Sequence, residues 1–218
     1  MNPILLLGAT GRLGSCILTE LLSRGYTVHV IVRNKSKLPT QPGIVVYEGD
    51  VRDEDLLRHA IQGCAAVISA LNVSRLSDWP WAKLRTPPCL LSGTAEALIR
   101  ACTDTPGLRV VICSAWGTSH TRNDLPGWFR WLIAHSNIGV AYQDHERQER
   151  LFEASALTNW VIVRPVGLTN GGNGKDVHVS LGNIPKPKLL VTRQSVARFM
   201  ADLVGDARYT RQMPVIFQ

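Results

Sequence analysis

Ile4-Leu5-Leu6-Leu7-Gly8-Ala9-Thr10-Gly11-Arg12-Leu13-Gly14 joins a continuous apolar run to a GxxGxxG turn. A short apolar run that halts at glycine is how a strand buried on both faces of a parallel sheet reads. From Leu13 to Arg24 the apolar side chains fall at 13, 17, 18, 21 and 22, one face of a helix, and Gly25 ends it. A second apolar run, Thr27 to Val32, completes strand, turn, helix and strand in that order. The three glycines have separate jobs: the tight turn, close approach of the backbone to a pyrophosphate, and close packing of helix on strand. The helix N-terminus offers unpaired N–H groups and partial positive charge to phosphates. Gly8, Ala9, Thr10, Gly11, Arg12 and Leu13 are therefore the expected cradle of a dinucleotide.

Working outward, strand and helix keep alternating. A polar, Pro-rich loop at Asn34 to Gly43 precedes a strand at Ile44 to Glu48, a helix at Asp53 to Gln62 and a strand at Ala65 to Ala70. A helix at Leu90 to Cys102 leads to a strand at Arg109 to Cys113, and a long charged helix at Tyr142 to Ala156 to a strand at Asn159 to Val163. Ser195 is placed to cap a last helix running to Val204, and Pro214 to Phe217 can add a terminal strand. This alternation predicts an α/β fold: a Rossmann-like, doubly wound parallel sheet with helices on both faces, in a single domain. Three loops break the pattern, at 72–88, 116–136 and 167–188; the last, rich in Gly, Pro, Asn and Lys, reads as a flap over a site.

A chain of 218 residues, 45% hydrophobic and 19% charged, has the size and composition of one globular domain with a full core. The five cysteines form no CxxC pair, which argues against a zinc ribbon or a disulfide framework and for reduced thiols in a cytoplasmic protein. No HxH or HExxH spacing supports a metal. The net charge of +7 is spread without a basic run, which disfavours DNA or RNA and fits an anionic small ligand equally well. No apolar stretch reaches the ~18 residues of a membrane span, and the opening run lacks the basic flank and cleavage site of a signal peptide.

The second strand ends at Val32-Arg33-Asn34-Lys35, where selectivity for NAD usually places an acid against the ribose 2′-hydroxyl. Arg33 stands there instead, with Lys35 beyond it. A guanidinium can grip a 2′-phosphate in bidentate fashion, with Arg12 near enough to help, so NADP(H) is expected over NAD(H).

The ordered set Gly8-Ala9-Thr10-Gly11, Gly49-Asp50-Val51-Arg52-Asp53, Ser69-Ala70-Leu71, Cys113-Ser114-Ala115, Asp144-His145-Glu146-Arg147, Val163-Arg164-Pro165 and Val191-Thr192-Arg193-Gln194-Ser195-Val196-Ala197 covers nearly the whole chain. In it the sequence resembles atypical short-chain dehydrogenase/reductases of the NmrA-like group, especially the flavin reductase/biliverdin-IXβ reductase type. The resemblance implies that Asp50 and Val51 flank adenine, that Ala70, Leu71 and Asn72 border ribose and phosphates, and that Ser114 and Ala115 approach the nicotinamide. It places His145 and Pro165 beside the cofactor too. Asp50 can alternatively serve as the N-cap of the helix that follows. The Tyr-x-x-x-Lys pair of typical members is absent: Ala141 and Tyr142 precede His145, at a position where atypical members carry lysine or histidine.

Ser114 and His145 are the candidate catalytic residues, Ser114 as a hydrogen-bonding group and His145 as proton donor or holder of a ribose hydroxyl. His29 and His59 read as packed or solvated, while His120, His135 and His178 fall in loops that can touch substrate. Asp144, Glu146, Glu149 and Glu153 share a helix with Arg147 and Arg150 and read chiefly as a solvated charged face. Tryptophans 79, 81, 116, 128 and 131 can stack on a planar acceptor, anchor loops or form a dimer surface. Two functions fit: an NADPH-dependent reductase of a flavin, quinone or tetrapyrrole-like acceptor, as monomer or homodimer, or an NADP(H)-sensing regulator acting through a protein partner. A nucleotide-sugar epimerase is disfavoured, because those enzymes keep the Tyr/Lys pair and a larger substrate domain.

Overall fold

Leucines and isoleucines dominate the first strand because it has no solvent face. Ile4–Leu7 (β1) is fully buried, and its neighbours β2 (Val28–Val32) and β4 (Ala66–Ser69) are likewise buried along their length. The computed structural model describes residues 2–38, 41–171 and 175–218. The remaining elements are α1 (Arg12–Ser23), β3 (Ile44–Glu48), α2 (Glu54–Ile61), α3 (Leu90–Cys102), β5 (Arg109–Cys113), α4 (Gly127–Ala134), α5 (Ile138–Ala154), β6 (Trp160–Pro165), β7 (Gly167–Thr169), β8 (His178–Ser180), β9 (Leu190–Thr192), α6 (Arg193–Asp202) and β10 (Val215–Phe217).

Eight strands form one sheet in the order β3-β2-β1-β4-β5-β6-β10-β8, while β7 and β9 pair separately. Every pairing in the large sheet is parallel except that of β8 with β10. The chain winds outward from β1 to β3 and then returns past β1 to β4. That reversal opens a crevice at the carboxyl ends of β1 and β4, where open α/β sheets bind ligands. The two-residue period of the strands sorts their side chains between two cores. Ile4, Leu6, Val28 and Val30 pack with Leu13, Ile17 and Leu21 of α1 and Val196 and Met200 of α6. Leu5, Leu7 and Ile31 pack with Leu57 of α2, Leu98 of α3 and Phe152 of α5. The expected Rossmann-like doubly wound sheet is the observed one.

Some boundaries differ from expectation for local reasons. α5 begins at Ile138, four residues before Tyr142, after a tight connection from α4 in which a Cβ on Gly139 would come 2.3 Å from the Ile133 carbonyl oxygen. Ser195 does not cap α6: Thr192 does, its side chain accepting from the Ser195 amide at 3.3 Å, and Ser195 is buried inside the helix. The expected flap at 167–188 contributes β7 and the antiparallel edge strand β8, with 172–174 outside the described residues. Among the described residues no helix is long and apolar enough to cross a membrane.

Candidate cofactor and active-site cleft

The carboxyl ends of β1, β2, β4, β5 and β6 open into a cleft of about 660 Å³. At its centre is the glycine turn. Gly8 has φ +85°, and a Cβ there would lie 3.0 Å from the carbonyl carbon and oxygen of Ala70. A Cβ on Gly14 would fall 2.0 Å from the Gly8 carbonyl oxygen, so α1 can approach β1 this closely only without a side chain. Gly11 begins α1 with no side chain capping it and no acid in the first turn. The helix thus leaves its N–H groups and positive pole for an outside anion.

Gly8, Thr10, Gly11, Arg12 and Leu13 line this cleft, whereas Ala9 faces the core at 2% exposure. Following the sheet order, Arg33, Asp50 and Val51 line one end, Ala70, Leu71 and Asn72 the middle, and Ser114, Ala115, His145 and Pro165 the other. Asp50 accepts from the Arg52 amide and Nε, each at 2.9 Å, and from Arg52 Nη2 at 2.6 Å. The Arg52 side-chain hydrogen bond is the chief cause that holds the Asp50 carboxyl down to about 2, and the Arg33 charge adds to it. The cap of α2 is Asp53, whose Oδ1 accepts from the Leu56 amide at 3.1 Å, which removes the alternative helix-cap role for Asp50.

The cations sort themselves by their partners. Arg33 is exposed at the cleft and forms no hydrogen bond or ion pair among the described residues. Lys35 lies outside the cleft lining and pairs with Glu48 at 3.7 Å, so it leaves the group of cations expected around the ligand. Arg12 pairs with Asp78 at 2.9 Å, but both are well exposed, a pairing of little energy that a ligand can replace. Sequence reasoning missed Arg193. It opens α6, lines the cleft and donates to Asn170 Oδ1 at 2.5 Å. Burial depresses its pKa, and the neighbouring Arg12 charge lowers it further. Two guanidiniums repelling each other beside an uncapped helix N-terminus are what a pyrophosphate would relieve.

The far end holds the largest departure from the sequence expectation. Asp144 and Glu149 are wholly buried. They face inward for different reasons. Asp144 accepts from the Leu91 amide at 2.7 Å and from the Ser92 amide and hydroxyl at 3.3 and 2.6 Å, so it holds the N-terminus of α3. Glu149 accepts from Arg164 Nε and Nη2, both at 2.9 Å. It also accepts from Ser114, Thr118 and Ser119 hydroxyls at 2.7, 2.8 and 2.9 Å. Burial alone would raise the Glu149 carboxyl, but Arg164, Ser114 and Thr118 together hold it below its ordinary value. The correction has one cause: glutamate and arginine at helical spacing resemble a solvated face, and their real partners lie on other elements.

This network fixes the polarity of Ser114. A hydroxyl has one proton, and that of Ser114 is given to Glu149, so toward the cleft its oxygen presents lone pairs and accepts. His145 differs from expectation as well. Burial pushes its pKa down to about 4, against the pull of Glu149 and Asp144, so the imidazole is neutral at pH 7 and is no store of a proton. Its Nδ1 is buried without a partner among the described residues. An orphaned ring nitrogen beside the cleft fits a ribose or carboxamide group of a bound dinucleotide. Tyr142 donates to the Trp116 carbonyl at 3.2 Å, and burial pushes its phenol up to about 12.

The other singled-out side chains lie elsewhere. His29 bonds the Ala60 carbonyl through Nδ1 at 2.8 Å, and His59 meets Tyr47 edge-on. His120, His135 and His178 do not line the cleft: they contact Arg164, Trp131 and Phe217 respectively. Of the tryptophans in loops, only Trp116 lines it, at 5% exposure. Cys64, Cys102 and Cys113 are buried thiols raised to about 11, 12 and 12 by burial. All five cysteines are free, and no group of three metal-ligating side chains occurs among the described residues.

Fold and cleft together are those of an NAD(P)H-binding oxidoreductase. The chain belongs to the NAD(P)H-binding family, whose sequence model matches residues 8–207. It is 27% identical over 192 residues to an oxidoreductase of Pestalotiopsis microspora, spanning 78% of this chain and 68% of that protein. An oxidoreductase of Cryptosporiopsis sp. is 28% identical over 192 residues, spanning 78% and 75%. Among solved structures, a short-chain dehydrogenase/reductase of Veillonella parvula in complex with NADP aligns with a TM-score of 0.77 at 18% identity, covering 100% and 95% of the two chains. ChuY of Escherichia coli O157:H7, described as an anaerobillin reductase, aligns with a TM-score of 0.76 at 19% identity over 99% and 96%. At these identities the structural likeness is one of fold.

Proposed function

We propose that the protein is an NADPH-dependent reductase of a small planar acceptor such as a flavin, quinone or linear tetrapyrrole. The observation that carries this reading is the exposed Arg33, without a hydrogen-bonding partner among the described residues, at the end of β2, in the same cleft as the uncapped α1 N-terminus and the Arg12–Arg193 pair. That row of positive groups suits a dinucleotide with a 2′-phosphate. The NADP complex of the Veillonella relative and the reductase title of the E. coli relative support it by analogy.

Bound NADPH would supply a hydride, and the chain would supply position and exclusion of water. Ser114 accepts a hydrogen bond from the carboxamide or a ribose hydroxyl, and the neutral His145 offers Nδ1 to the same region. Neither group releases a proton at neutral pH, so the proton that completes the reduction comes from water, as planar two-electron acceptors allow. We assign Gly8, Thr10, Gly11, Arg12, Leu13 and Arg193 to the phosphates, Arg33, Asp50 and Val51 to the adenosine end, Ala70, Leu71 and Asn72 to ribose and phosphates, and Ala115 and Pro165 to the nicotinamide side. The lack of a resident acid also fits a second reading, a sensor that binds NADP(H) without turnover. Spectrophotometry of NADPH oxidation with FMN, menadione and biliverdin as separate acceptors decides between them. Turnover with one of them supports the reductase; tight NADPH binding with none turned over replaces it with the sensor.

A further inference from the structure

The chain has six tryptophans. Trp116 and Trp160 are buried, whereas Trp79, Trp81, Trp128 and Trp131 are 65%, 44%, 65% and 55% exposed. These four form one patch. Residues 74–85 fold as a hairpin, with an Arg75–Leu84 antiparallel bridge and the Leu76 amide on the Lys83 carbonyl at 3.0 Å. Its tip is a turn closed by the Ala82 amide on the Trp79 carbonyl at 3.0 Å, with the two indole rings 5.2 Å apart. Trp81 Nε1 donates to the His135 carbonyl at 2.7 Å, and Asn137 donates to the Trp81 and Ala82 carbonyls at 3.0 Å, which docks the tip beside the end of α4. The His135 ring stacks on Trp131 at 4.8 Å, and Trp128 lies one helical turn earlier on the same face. Leu76, 67% exposed, extends the apolar tip.

The two segments that carry these indoles also carry cations. Lys83, Arg85 and Arg130 are exposed and form no ion pair among the described residues. The only carboxylate in 74–85 and 127–137 is Asp78, which is already paired with Arg12. Exposed indoles on segments that also carry exposed lysine and arginine match the interface of an anionic bilayer, where an aromatic ring sits at headgroup depth and cations meet lipid phosphates. A second copy of the chain fits less well, because a twofold contact would bring the cations of both copies together with only Asp78, already paired with Arg12, to answer them.

We propose that this face binds peripherally to anionic lipid surfaces, holding the cleft mouth at the membrane. The stem of the hairpin and α4 carry Ser77, Asp78 and Phe129 into the cleft lining, so attachment would bring the open end of the cleft to the bilayer. The binding itself does not depend on the identity of the acceptor. Co-sedimentation of the full chain with vesicles of phosphatidylcholine, with and without phosphatidylglycerol, tests it. Binding is expected with the mixed vesicles only, weakening with salt and accompanied by a blue shift of tryptophan emission. Lys83→Ala/Arg130→Ala should weaken it about thirtyfold, at roughly 1 kcal/mol per cation. Trp79→Ser/Trp128→Ser/Trp131→Ser should abolish it while leaving thermal unfolding and NADPH binding unchanged. Absence of binding to mixed vesicles, or binding indifferent to these substitutions, would overturn the proposal. So would a homodimer in sedimentation that the tryptophan variant dissolves while vesicles bind neither form.

Discussion

Arg164 and Glu149 are 1% and 0% exposed and face each other through two hydrogen bonds of 2.9 Å. Removing one partner of such a pair leaves a charge in the interior with no counterion. That costs about 3–5 kcal/mol, whereas replacing both by apolar groups of similar volume is often close to neutral. Arg164→Met leaves the Glu149 carboxylate with only the hydroxyls of Ser114, Thr118 and Ser119, and Glu149→Gln leaves a buried guanidinium uncompensated. For a domain of this size each kcal/mol moves Tm by roughly 2–4 °C, so either single variant should melt about 6–20 °C below the parent. Glu149→Leu/Arg164→Met should recover all but ~1–2 kcal/mol, the residue reflecting three hydroxyls left to find other acceptors. Denaturant unfolding of the parent, Glu149→Leu, Arg164→Met and the double variant, followed by circular dichroism, closes the double-mutant cycle. Single variants that lose less than ~1 kcal/mol, or a double variant that loses the sum of the two, would refute the assignment of a tightly coupled interior pair. In Glu149→Leu, with no acceptor left at that position, the Ser114 hydroxyl should also turn its proton toward the cleft, weakening NADPH binding beyond what the stability loss explains.

Other perturbations separate the remaining parts of the site. Gly14→Ala places a Cβ 2.0 Å from the Gly8 carbonyl oxygen; it should cost at least the ~1–3 kcal/mol typical of overpacking, while Gly205→Ala, which meets nothing within 4 Å, should melt like the parent. Arg33→Ala should raise the Kd for NADPH about tenfold to a hundredfold, the worth of a charge-assisted hydrogen bond, and leave NADH within a factor of about two; equal losses for both would exclude contact with a 2′-phosphate. For His145, the folded pKa of about 4 lies below the ordinary histidine value of 6.5, so the unfolded chain binds the extra proton between those values. Unfolding free energy should therefore fall as pH drops from 6.5 to 4, by about 3 kcal/mol from this group. Urea titrations of the parent and His145→Asn across that window should diverge, and parallel pH profiles would contradict a buried neutral imidazole.

Local patterns carried most of the fold. β1, the glycine turn and α1 follow from residues within one short stretch, and α3 and β5 run as expected from Leu90 to Cys102 and from Arg109 to Cys113. The cleft was legible to the same extent, because the residues after each parallel strand must gather at one edge of the sheet. What could not be read was whatever depends on a distant partner. Glu149 looks solvated beside Arg150 until β6 brings Arg164 under it, and Asp144 looks solvated until α3 begins against it. Arg193 stood within a recognised stretch, yet only the return of the chain to α6 sets it beside Arg12. β8 is three residues long and is a strand only because β10 pairs with it. His145 keeps an ordinary pKa in any local reading, since its shift comes from burial.

The central claim is that the glycine turn, Arg33 and the Ser114–His145 end form one site for NADPH. Fluorescence titration of the purified chain with NADPH and with NADH tests it most directly. Saturable one-to-one binding, tighter for NADPH, is expected, and it is lost in Gly14→Ala while Gly205→Ala binds as the parent does. Saturation by neither nucleotide, or tighter binding of NADH, would contradict it.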